Sequence, residues 1–120
     1  MAKTGRLIGV IETEWANRPR SKKIEPRVVE AIARRRRQML IHSFLYYRLD
    51  TPIIDDATWT KWAQQLYALQ RKYGWRIHFY DEVFADWNGS SGFHLPADHD
   101  VVRVARRVHD EAREREDLLS

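Results

Sequence analysis

Two stretches of helically spaced apolar residues are separated by only seven residues, 50–56, with the sequence DTPIIDD. A link that short leaves the second helix little choice but to fold back beside the first. In the second stretch, Trp59, Trp62, Ala63, Leu66, Leu69 and Tyr73 recur at three- and four-residue steps, which predicts an amphipathic helix over about 57–73. Asp55 or Asp56 can cap its start by accepting orphan backbone N–H groups, and Gly74 stands where a helix stop belongs. The first stretch predicts a helix over about 26–49. Pro26 suits its first turn, and Val29, Ile32, Met39, Leu40, Phe44 and Tyr47 supply the apolar stripe.

Four consecutive arginines, Arg34, Arg35, Arg36 and Arg37, interrupt that stripe. At about 100° per residue they fan around most of the helix, so they cannot form one flat basic face. At least one must lie beside the apolar stripe and there snorkel or pair with an acid. The others form a collar that either is simply solvated or contacts phosphates or an acidic partner. Residues 1–40 hold eleven Lys/Arg against four Asp/Glu, and the remainder holds ten against thirteen, so positive charge is concentrated in the first third.

Elsewhere the pattern is less regular. LIGVI, residues 7–11, reads as a short strand or a segment laid on the core, and NRPRSKK, residues 17–23, as a basic loop. In WRIHFY, residues 75–80, Ile77 and Phe79 alternate with polar neighbours, and the Gly/Ser turn of NGSSG follows, so residues 75–95 admit a short β-hairpin. That Gly/Ser turn carries no phosphate-loop lysine, and Phe93 and His94 beyond it lie where a compact fold brings them beside the helix pair. Val101, Val104, Ala105, Val108 and Ala112 predict a last helix over about 100–118 with a solvated tail.

The expected fold is mainly α. It is a single domain over 1–120, with an irregular basic segment (1–24), an antiparallel helix pair (25–73), and an irregular segment plus C-terminal helix (74–120). The chain has no cysteine, which excludes disulfides and thiolate zinc sites and fits a reducing compartment. It has no apolar run of about 20 residues, so no membrane span or signal peptide is expected, and the expected location is the cytoplasm. None of the five histidines falls in a close metal-ligand pair, and Asp98–Asp100 reads as a polar helix cap.

Residues 42–70 resemble the N-terminal Ia domain of bacterial NAD-dependent DNA ligases. The resemblance rests on an aromatic pair at a helix end (Tyr46, Tyr47), the turn D-x-P-x-I-x-D (Asp50, Pro52, Ile54, Asp56), and a following helix that opens Ala57, Thr58, Trp59, Thr60. It also extends to small stand-alone phage and prophage proteins described as DNA-ligase-like. In that family the domain grips the nicotinamide mononucleotide half of NAD. The resemblance therefore implies a nucleotide site of Tyr46, Tyr47, Asp56 and Trp59, with the rings stacking and the carboxylate accepting hydrogen bonds. Tyr47 stands where the family usually carries His or Tyr, Trp59 replaces a family Tyr, and Thr60 replaces a family Asp. The same aromatic residues also suit a core, and Asp56 also suits a plain cap.

Ligation needs a lysine nucleophile in a K-x-D-G setting, and the chain has none. It is therefore expected not to be an enzyme by itself and to require no cofactor, with NAD or the mononucleotide as ligands. Three roles follow from the resemblance. The chain is a non-catalytic phage-type binding module. Or it is a phage-encoded interaction protein or inhibitor acting on a nucleic-acid-handling protein. Or it is a nucleotide-gripping subunit serving a separate ligase chain. Each expects a protein partner, with nucleic acid as an additional one and no membrane.

Overall fold

The computed structural model describes residues 24–120, which contain four helices: α1 (Pro26–Tyr47), α2 (Asp56–Tyr73), α3 (Asp81–Phe84) and α4 (His99–Leu119). The readings made for LIGVI, NRPRSKK and the rest of the basic N-terminal segment up to Lys23 lie outside the described residues. The chain is mainly helical, as its periodicity requires. α1 is the central element and packs against both α2 and α4.

Local chemistry fixes the ends of these helices. Pro26 occupies the first turn of α1, where its missing N–H costs nothing. After Tyr47 the chain reverses through Asp50, a non-glycine residue at φ 54°, and Thr51 N–H donates back to Leu45 O at 2.9 Å. Asp55, not Asp56, caps α2, and its carboxylate accepts from Thr58 N–H at 2.8 Å. Gly74 closes α2 at φ 108°, a backbone conformation that side chains strain against. Asp98 caps α4 by accepting from Val101 N–H at 2.9 Å, so the Asp98–Asp100 cluster serves the helix start.

The core runs along α1 through Ile32, Met39, Leu40 and Leu45. It takes in Ala63 and Leu66 from α2, Phe84 and Trp87 from the connecting segment, and Val101 and Ala105 from α4. Trp62 and Leu69 pack partly buried against its edge.

Inside this core sits a cation. Arg36 is wholly buried, so it is the arginine of the run that lies beside the apolar stripe and pairs with an acid. Its guanidinium donates to Asp81 Oδ1 at 2.8 Å, to Gln70 Oε1 at 2.9 Å, to Trp75 O at 2.6 Å and to Phe79 O, and it lies over the Phe84 ring. Gln70 then donates to Phe84 O at 2.8 Å. Burial pulls the Arg36 pKa down from its ordinary value, and the contact with Asp81 opposes that pull. A guanidinium surrounded by four oxygen acceptors stays charged.

Asp81 also explains why residues 75–95 form no hairpin. Its carboxylate accepts from the backbone N–H groups of Ile77 (3.1 Å), His78 (3.0 Å) and Phe79 (3.3 Å). Those donors are spent on a side chain rather than on a neighbouring strand, and His78 and Tyr80 take positive φ values of 62° and 56°. The segment becomes a tight coil leading into α3, and no strand occurs among the described residues. The alternation of Ile77 and Phe79 that suggested one is incidental to this coil.

Two outcomes are expected. Replacing Arg36 with Met removes the cation but leaves Asp81, two carbonyls and Gln70 without their donor. Breaking a buried pair from one side costs on the order of 3 kcal/mol. Urea denaturation should register that loss, and a change below about 0.5 kcal/mol, the size of an ordinary surface substitution, would contradict the role given to Arg36. The second outcome concerns acid. Burial raises the Asp81 pKa, but hydrogen bonds from Arg36 and the three backbone N–H groups outweigh it, and the carboxyl is held below its ordinary value. A folded-state pKa depressed in this way contributes stability above the unfolded value of about 4, and that stability is lost as pH falls through the folded value. Asp81→Asn should therefore be less stable at neutral pH and show a flatter loss of stability below about pH 4, measured by denaturation at a series of pH values.

Candidate aromatic cleft

The turn between α1 and α2 brings the end of one helix against the start of the next. Tyr46 and Tyr47 come from the last turn of α1. Asp56, Trp59 and Thr60 come from the first turn and a half of α2. Together with His42, Pro52, Ile54 and Ser90 they line a cleft of about 260 Å³. All four residues singled out from the sequence as a nucleotide site, Tyr46, Tyr47, Asp56 and Trp59, thus face one space.

The ring arrangement leaves aromatic surface open. Tyr46 and Tyr47 meet edge to face with centroids 4.8 Å apart, and both are exposed. Phe93 stands edge-on to Tyr47 at 5.5 Å and is 67% exposed, so the Gly/Ser turn does carry it beside the helix pair. Trp59 is partly buried, and its indole N–H donates to Ser43 Oγ at 3.2 Å. What Trp59 offers a ligand is therefore ring surface rather than its donor. Asp56 is exposed and is not the cap of α2, a task that belongs to Asp55. It is one of the residues that line the cleft.

The loop that supplies Ser90 is pinned at two points. Trp87 Nε1–H donates to Ala63 O at 3.0 Å. Gly92 lies against α1, where an added Cβ would overlap Ser43 Oγ and come within 2.9 Å of Ser43 Cβ and 3.1 Å of the Trp59 ring.

The arginine run divides by position. Arg36 is buried, and burial removes it from the proposed contact set for nucleic acid or a partner. Arg35 bridges the helix pair, donating to Gln65 Oε1 at 2.9 Å and Gln38 Oε1 at 2.6 Å and lying over the Trp62 ring. Arg34 and Arg37 are exposed, and both approach Glu30, at 3.6 and 3.7 Å. One carboxylate shared between them lowers the local positive charge that a phosphate backbone would meet. Near the start of α1, a second groove of about 450 Å³ runs between the helices, with Ala31, Arg34, Arg35, Ala68 and Leu69 among its lining. Among the described residues there is no cluster of three or more metal-ligating side chains. No described helix is long and apolar enough to cross a membrane.

Comparison with models of known protein families, with curated proteins and with solved structures finds no match to the chain.

Gly92→Ala tests how the loop closes the cleft. The added methyl meets Ser43 Cβ, which cannot swing aside, so the loop must lift or α1 must shift. The expected cost is about 1–3 kcal/mol in thermal or chemical unfolding, typical of overpacking. A changed Trp emission maximum should accompany it, because Trp59 loses its neighbour. An unchanged melting temperature would show that the loop is not seated on Ser43.

Proposed function

We propose that this chain is a binding module, not catalytic by itself, whose aromatic cleft holds the nicotinamide mononucleotide part of NAD or the free mononucleotide. The observation that carries this reading is the convergence of Tyr46, Tyr47, Asp56 and Trp59, from two helices, on one cleft of about 260 Å³. Tyr46 and Tyr47 are 46% and 37% exposed, which leaves ring surface open to a ligand. Exposed rings around a carboxylate suit a planar, electron-poor, cationic ring, which gains from stacking and from the nearby negative charge. Thr60 contributes a hydroxyl where the ligase Ia domain has a second carboxylate, which favours weak binding.

The module acts with a protein partner. Exposed Leu118 and Leu119 at the end of α4 support such a contact, and a phage-encoded origin accords with the resemblance to small ligase-like phage proteins. A nucleic-acid role draws less support, because Arg36 is buried and Arg34 and Arg37 share Glu30.

Titrating the mononucleotide to millimolar concentration should quench Trp fluorescence and raise the melting temperature by a few degrees, since a ligand bound only by the folded state stabilises it. Asp56→Asn should weaken that binding by roughly tenfold, about 1.4 kcal/mol, and leave the melting temperature of the free protein nearly unchanged, because Asp55 caps the helix. The absence of both quench and thermal shift would reject the nucleotide reading.

A further inference from the structure

The groove between α1 and α2 joins apolar surface to positive charge. Ala31, Ala68, Leu69 and Tyr73 supply the first, Arg34, Arg35 and Lys72 the second, and no acid is among the lining residues. Arg34 approaches Glu30, a carboxylate it shares with Arg37. Arg35 donates only to the uncharged side chains of Gln65 and Gln38. Burial pulls the Arg35 pKa down, and the neighbouring charge of Arg34 pulls the same way, as two cations held together must. An anionic partner in the groove relieves that repulsion. A phosphate backbone would do so but leave the alanines and Leu69 without a contact, whereas an acidic amphipathic helix meets both surfaces.

The chain itself carries such a helix. Where α4 runs beside the 51–55 turn, His109, Ala112, Arg113, Arg115, Glu116 and Leu119 line the space between them. At about 100° per residue, Asp110, Glu111, Glu114, Asp117 and Leu118 fall on the opposite side of the helix. All five are exposed, Leu118 by 85%. This stripe holds four carboxylates and a leucine but no cation, because Arg113 and Arg115 lie on the side toward the turn and Arg106 and Arg107 end it upstream. Among the described residues, its one ion-pairing neighbour is the His109 ring, 3.7 Å from Asp110. The stripe cannot reach the groove of its own chain. It lies by the turn that follows Tyr47, and Arg35 is roughly 18 Å back along α1 at about 1.5 Å per residue.

We propose that the groove between α1 and α2 receives the acidic face of α4, Glu111, Glu114 and Leu118 at its centre, from a second copy of this chain. The carboxylates meet the cations of the groove, and Leu118 meets its apolar lining. This contact is separate from the aromatic cleft, and it makes a second copy the protein partner of the functional reading given above.

Sedimentation of the full chain over a range of concentrations provides the test. The weight-average mass should rise above that of one chain with concentration. Raising the salt from about 0.05 to about 0.5 M should weaken the association by roughly tenfold, because exposed charges are screened. Arg34→Glu/Lys72→Glu and Glu111→Arg/Glu114→Arg should each stay monomeric and keep nearly the wild-type melting temperature, since all four positions are exposed. Mixed in equal amounts, the two variants should associate again, because the reversed groove of one matches the reversed stripe of the other and their unaltered surfaces also match. A wild type that is monomeric throughout would overturn the proposal and leave the nucleotide titration to be judged by its own result. Association that survives either double reversal would overturn it, as would variants that do not associate on mixing. A monomeric wild type that binds an oligonucleotide, with binding lost in Arg34→Glu/Lys72→Glu, would assign the groove to phosphate instead. Independently of any variant, diluting the ¹⁵N-labelled wild type should shift the amides of Ala68, Leu69, Glu114 and Leu118 together, and shifts confined to other residues overturn the proposal.

Discussion

A buried guanidinium organises this small fold. Arg36 brings its charge into the core only because oxygens from three directions meet it: Gln70 from α2, the carbonyls of Trp75 and Phe79 from the coil, and the Asp81 carboxylate at the start of α3. Desolvating such an ion costs several kcal/mol unless its donors are satisfied, so the coil cannot wander. Asp81 in turn gathers three backbone N–H groups. Its position decides where Phe84 and Trp87 enter the core, and Trp87 decides where the following loop docks on Ala63. The cleft at the other end of the helix pair is closed by that loop. A polar contact in the core thereby sets the geometry of a surface site to which it contributes no atom.

Much of this was legible in the sequence, and the exceptions have physical causes. The helix pair followed from periodicity and from a link too short for anything but a reversal. The arginine run required one member to be buried and paired, because four successive residues cannot all face solvent on a packed helix. Which member, and with which acid, was not readable. Asp81 lies forty-five residues away along the chain, and only tertiary packing brings it to Arg36. WRIHFY alternates like a strand because alternation reports which side chains are apolar, not where the backbone donors go. Asp55 and Asp56 are equivalent cap candidates in sequence, and the backbone angles at the turn select Asp55.

The site was legible where two helices meet across a fixed turn and obscure where a loop joins them. Tyr46, Tyr47, Asp56 and Trp59 flank one turn, so their convergence was implied by the helix pair itself. Phe93 and Ser90 arrive through a loop whose seat depends on Gly92 fitting against Ser43, a steric fact with no periodic signature. His42 also lines the cleft, although it belongs to no close metal-ligand pair in the sequence. The signal that would have found it is its four-residue spacing from Tyr46, which places both on one face of α1.

The central claim is that the corner between α1 and α2 is a ring-binding cleft and not merely packed core. The most direct measurement is the pattern of nuclear Overhauser effects between protein and nicotinamide mononucleotide in solution. The account requires cross-peaks from the nicotinamide ring protons to the aromatic protons of Tyr47 and Trp59, with ribose protons further toward Asp56 and Thr60. Cross-peaks confined to other surfaces, such as the groove over Ala31 and Leu69, would contradict it.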